Sequence, residues 1–107
     1  MIKIQVKTKA NAIVSISVNG HADSAPYGED LVCAGVSLAC VGIANQLAKM
    51  GCVDNNSVAI DLGEGLFKVK VNQSRHDIQL VLETFETMMK TIEESYHQYI
   101  QIMKMEV

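Results

Sequence analysis

The chain has 107 residues, enough for one domain spanning 1–107 with a modest core that needs no disulfides. Hydrophobic residues make up 49% of it and proline occurs once, a composition that excludes a disordered or low-complexity chain. A net charge of −3 without long charge runs argues against nucleic-acid binding, which calls for a basic patch.

In chain order, residues 2–8 alternate with Ile2, Ile4 and Val6 on one side. Residues 12–19 alternate with Val14, Ile16 and Val18. Both patterns predict half-buried strands, with Lys9-Ala10-Asn11 as a short hairpin connection. The alternating start is unlike the continuous apolar block of a signal peptide.

From Asp30 the period changes to that of a helix. Asp30 is the expected N-cap, and apolar residues from Leu31 to Ala48 carry the helix to about Lys49, with Gly51 in the C-cap region. Those apolar positions lie nearly all round, so cover on more than one side is expected. No uninterrupted apolar run reaches the roughly 18 residues of a membrane span, so no membrane association is expected.

Residues 57–62 and 66–72 predict a second strand pair around Gly63-Glu64-Gly65. Ser74 and Asp77 resemble a capping box opening a second helix, which runs to about Tyr96. Residues 99–106 alternate again, with Met103, Met105 and Val107 on one side, as a last strand. The order ββαββαβ is met most economically by an α+β fold: a largely antiparallel sheet with two helices packed on one face.

The three cysteines are Cys33, Cys40 and Cys52. An odd count without a secretion signal points to free thiols and a cytoplasmic location. Spacings of seven and twelve residues fit no zinc template. Cys40 and Cys52 read as buried, inert thiols, and His76 and His97 as surface residues.

The chemistry concentrates between Gly20 and Ser37. A nucleophilic thiol needs a base to take its proton and a field that favours thiolate. His21 follows the end of a predicted strand, and Gly20 and Gly28 leave room for close chain approach. With Asp30 as N-cap, Cys33 falls in the first helical turn, where unpaired N–H groups and the macrodipole favour thiolate. Asp30 caps the helix, orients His21, or both. Ser37, one turn on, is placed to donate to the thiolate or to a bound carbonyl, or else to bond its own helix backbone.

The run Gly20-His21-Ala22, Tyr27-Gly28 and Asp30-Leu31-Val32-Cys33-Ala34-Gly35-Val36-Ser37 resembles the ribosomal-processing cysteine protease family, Prp. The likeness extends to length, element order and the acidic Ile92-Glu93-Glu94 end of the second helix. The resemblance implies a catalytic dyad of His21 and Cys33, with Gly20, Asp30 and Ser37 as supporting members of the motif. It implies no cofactor, a homodimer, and a mobile loop between the two catalytic residues. It also implies the substrate: the short N-terminal extension of bacterial ribosomal protein L twenty-seven, cut after a pair of phenylalanines. Pro26, Cys40 and Cys52 lie outside the motif. Two other readings compete. One is a non-catalytic ribosome-associated α+β module with structural His21 and Cys33. The other is a metal site of His21, Asp23 and Cys33, which lacks the fourth ligand of a closed zinc site.

Overall fold

The structure is a computed structural model. It describes the backbone of residues 1–20 and 27–107, and the side chains of 1–20 and 31–107. Seven elements follow the expected order: β1 (Ile2–Lys9), β2 (Ala12–Asn19), α1 (Tyr27–Lys49), β3 (Val58–Gly63), β4 (Leu66–Val71), α2 (His76–Tyr96) and β5 (Ile100–Glu106). The strands form one sheet in the order β3-β4-β2-β1-β5. The β1–β2, β2–β4 and β3–β4 pairs are antiparallel, while β5 joins β1 in parallel.

The core lies between one face of the sheet and the two helices. Ile2, Ile4 and Val6 of β1 meet Phe67 and Val69 of β4, Val32, Val36 and Leu47 of α1, and Ile78, Leu82, Phe85 and Met89 of α2, all buried. Each such side chain contributes about 1.5–3 kcal/mol by leaving water. The rings of Phe67 and Phe85 sit 6.0 Å apart and tilted by 47°, joining sheet to helix.

The first hairpin departs from simple alternation. Ala10 and Asn11 both have positive φ, 51° and 66°, as a tight two-residue hairpin turn requires. Beyond the turn, Thr8 pairs with Ile13 and Lys7 with Ser15, so Val14 is bulged out of register. Ile13 therefore enters the core and Val14 is only half-buried, the reverse of the expected alternation. Gln79 of α2 accepts from the Ile13 N–H at 2.8 Å and donates to its carbonyl at 2.9 Å. One side chain thus satisfies the backbone beside the bulge and docks α2 onto β2.

Helix α1 starts at Tyr27, so Asp30 is its fourth residue and not its N-cap. Its other end is as expected. Gly51, at φ +79°, donates to Ala48 O, and Cys52 N donates to Leu47 O, the paired bonds of a Schellman stop. Residues Leu31–Lys49 are, by length and composition alone, long and apolar enough to cross a membrane, contrary to the expectation from uninterrupted runs. Val32, Val36, Cys40, Ile43 and Leu47 form the stripe that faces the core. Cover on further sides is not seen among the described residues: Leu31, Leu38 and Val41 are exposed.

Helix α2 has Arg75 at its N-cap without a side-chain capping bond, so the expected Ser74–Asp77 box does not form. Arg75 instead clamps the Asp77 carboxylate at 2.6 Å, and that bond holds the carboxyl below its usual range. On β5, Ile100 is buried and Ile102 partly so, while Met103 lies on the opposite, exposed face. Lys104 reaches from β5 to the buried Glu86 of α2 at 3.2 Å, with Lys90 at 3.6 Å from the same oxygen.

Candidate active site

The N-terminal half of α1, the end of β2 and the β3–β4 hairpin enclose a cleft of about 370 Å³. One wall is α1, with Cys33, Val36, Ser37, Cys40 and Val41. The facing wall is the hairpin from Leu62 to Phe67, and Ile2, Val18 and Gly20 also line the cavity. A volume of this order lies at the lower end of the ~300–1,000 Å³ range typical of binding sites.

The three thiols separate cleanly. Cys33 is partly exposed in the cleft, whereas Cys40 and Cys52 are buried. Burial pushes the Cys40 thiol up to about 12, so it is neutral at physiological pH. Cys52 sits at 0% exposure beneath the Schellman turn. Cys33 is therefore the accessible thiol of the three. The longer helix changes one part of its setting: as the seventh residue of α1, Cys33 lies past the four N–H groups left unpaired at a helix start.

Ser37 is exposed, lines the same cleft one turn beyond Cys33, and among the described residues makes no side-chain hydrogen bond, to its own helix backbone or elsewhere. Thr84 and Thr91 of α2 do make that bond, to Leu80 O and Thr87 O. The hydroxyl of Ser37 is thus open to the cleft.

Gly20 shows why no other residue suits the position before His21. Its φ is +96°, and a Cβ built there would stand 2.5 Å from the Met1 carbonyl oxygen. Its N–H donates to Gly65 O at 3.2 Å, tying the end of β2 to the turn of the neighbouring hairpin. The expected close chain approach is therefore present at Gly20. His21, Asp23, Pro26 and the rest of 21–26 lie outside the described residues, as does the side chain of Asp30. His76 and His97 are both exposed, as expected, one at each end of α2.

The hairpin wall was not among the residues singled out from sequence. Its signal was present: Leu62 and Leu66 flank Gly63-Glu64-Gly65 and are 52% and 38% exposed, apolar side chains held open beside a turn.

Comparison with known proteins shows the family. The family described as Cysteine protease Prp matches residues 1–101. The chain is 31% identical over 91 residues to the ribosomal processing cysteine protease Prp of Staphylococcus aureus, covering 84% of this chain and 85% of that protein. It is 31% identical over 97 residues to the Prp of Bacillus subtilis, with 84% of each chain covered. Among solved structures it is similar to the Staphylococcus aureus Prp in complex with a substrate peptide, with TM-score 0.80, 25% identity and coverage of 97% of this chain and 99% of that one. A Staphylococcus aureus Prp with a covalently linked product peptide has TM-score 0.77 and 27% identity, again covering 97% and 99%. SMU.848 from Streptococcus mutans has TM-score 0.79 and 26% identity, covering 100% of this chain and 96% of that one. The reading as a non-catalytic module accordingly gives way. With its accessible thiol in a cleft between helix and hairpin, the chain belongs to the cysteine protease Prp family of ribosomal-processing enzymes.

Proposed function

We propose that this protease removes the short N-terminal extension of bacterial ribosomal protein L twenty-seven, cutting after a Phe-Phe pair, with Cys33 as nucleophile and His21 as its base. The observation that carries this is the placement of Cys33: it is the one thiol of three that is not buried, and it opens into a largely apolar cleft. An apolar cleft suits an aromatic pair.

His21 takes the proton of the Cys33 thiol, and the thiolate adds to the carbonyl carbon of the second phenylalanine. The carbonyl π electrons move to oxygen, and the oxyanion needs hydrogen-bond donors. Ser37 lines the cleft, bonds none of the described residues through its hydroxyl, and is the supporting donor in this reading. Collapse re-forms the carbonyl and breaks the C–N bond, and His21 gives its proton to the leaving amine. Water, deprotonated by His21, then hydrolyses the thioester and restores the Cys33 thiol. Asp30 orients His21 in this scheme, since a position inside α1 removes its capping role. Gly20 is the supporting residue that lets the chain pass Met1 just before the base. No step calls for a metal or cofactor.

The enzyme acts as a cytoplasmic homodimer in this reading. The described outer side of α1 from Leu31 to Ala48 bears no charge, and Leu38 on it is 76% exposed, features suited to burial against a second copy. The deciding experiment is mass spectrometry of the extended ribosomal protein after incubation with enzyme. Wild type should release the extension at the Phe-Phe pair, and Cys33→Ala should leave it intact. Cleavage by a folded Cys33→Ala protein would rule out thiol catalysis.

A further inference from the structure

The cleft continues well beyond the reacting thiol. Cys40 lies seven residues after Cys33 on α1, about 10 Å away at the helical rise of ~1.5 Å per residue. That exceeds the ~7 Å Cα separation a disulfide tolerates, so Cys40 is not a redox partner of Cys33. Its side chain nevertheless lines the same cavity, at 4% exposure, in company with Val36, Val41, Leu62 and Phe67. A buried, neutral thiol behaves as a small apolar side chain. Its small size leaves space that a larger residue would fill.

We propose that Cys40 sets the depth of an apolar subsite at the far end of the cleft and so determines which apolar side chain of the substrate is accepted there. An extended peptide advances about 3.3 Å per residue, so a side chain reaching this end belongs to a residue two or three positions from the cut bond. Val36 and Phe67 are buried in the core and form the fixed part of the subsite. Val41 and Leu62, 43% and 52% exposed, form its open rim. The inference rests on the cleft being the substrate site.

The test uses peptides carrying the extension's cut site, with each of the four positions on either side varied among Ala, Val, Leu and Phe. Values of kcat/KM are measured for wild type, Cys40→Ala and Cys40→Met. Cys40→Met should lower kcat/KM for Leu and Phe about tenfold at one position, two or three residues from the cut bond, while Ala there stays within about twofold. Cys40→Ala should shift preference at that same position toward Phe by about threefold. A uniform loss at every position, or no change of preference anywhere, overturns the proposal. Thermal melting shows whether Cys40→Met folds; if it does not, Cys40→Val takes its place, with about threefold discrimination at one position as the expected result and an unchanged profile as the overturning one. Wild-type enzyme that cleaves none of the peptides overturns the reading of the cleft itself. Wild-type cleavage with a preference indifferent to Cys40 overturns this inference alone.

Discussion

Helices α1 and α2 are close in length, 23 and 21 residues, and both pack on the same sheet face, yet the chain uses them differently. α2 is conventionally two-sided. Its inner stripe of Ile78, Leu82, Phe85 and Met89 is buried, and its remaining positions include Asp77, Glu83, Lys90 and Glu94. α1 is apolar inside and, from Leu31 to Ala48, uncharged outside, with Leu31, Leu38 and Val41 exposed and Cys33 and Ser37 in the cleft. The difference teaches that α2 is the scaffold and α1 the working surface. Both helices leave a leucine in water, Leu80 on α2 as well as Leu31 and Leu38 on α1, but only on α1 do the exposed apolar residues share a stretch without charge, the kind of surface that meets substrate or partner.

The sharpest break of that comparison is at the thiol. Cys33→Ala and His21→Ala should each lower cleavage about ten-thousand-fold, read by mass spectrometry of the extended substrate. Cys33→Ala should leave the melting temperature nearly unchanged, because Cys33 is only partly buried. A large loss of stability on its removal would make α1 as structural as α2.

The converse change is on α2. Phe85 is fully buried against Phe67, so Phe85→Ala should cost about 3–5 kcal/mol in denaturant unfolding. A cost under about 1 kcal/mol would deny α2 its scaffold role.

Gly20 joins the two behaviours. A methyl group there meets the Met1 carbonyl at 2.5 Å and forces an L-residue into φ +96°. Gly20→Ala should lose about 2 kcal/mol of stability and lower turnover beyond what the unfolded fraction explains, because His21 follows it directly. Full turnover by the folded population would confine Gly20 to the fold.

On the open face of α1, Leu38→Ser should change stability by less than about 0.5 kcal/mol. Light scattering should then show a shift from dimer to monomer. A wild-type protein that is already monomeric would overturn the proposed dimer. One change is expected to be a gain: Ala10 stands at φ 51°, so Ala10→Gly should stabilise the hairpin by about 1 kcal/mol in the same unfolding assay.

Element order, both hairpins, the Gly51 stop and the accessible thiol near the start of α1 were legible in the residues, because each rests on local periodicity or local turn chemistry. The Prp resemblance was legible in the stretch from Gly20 to Ser37 for the same reason: its residues are close in sequence. Three matters were decided by tertiary structure. The Val14 bulge reversed the facing of Ile13 and Val14, since pairing with β1 and the grip of Gln79, 66 residues further along the chain, outweigh alternation. The start of α1 at Tyr27 displaced Asp30 from the cap: Asp30 is only one of several residues able to open a helix, and its residue type does not say which one does. The cleft itself could not be read from sequence. Its two walls, Cys33–Val41 and Leu62–Phe67, lie more than twenty residues apart, and only the folding of the β3–β4 hairpin beside β2 brings them face to face.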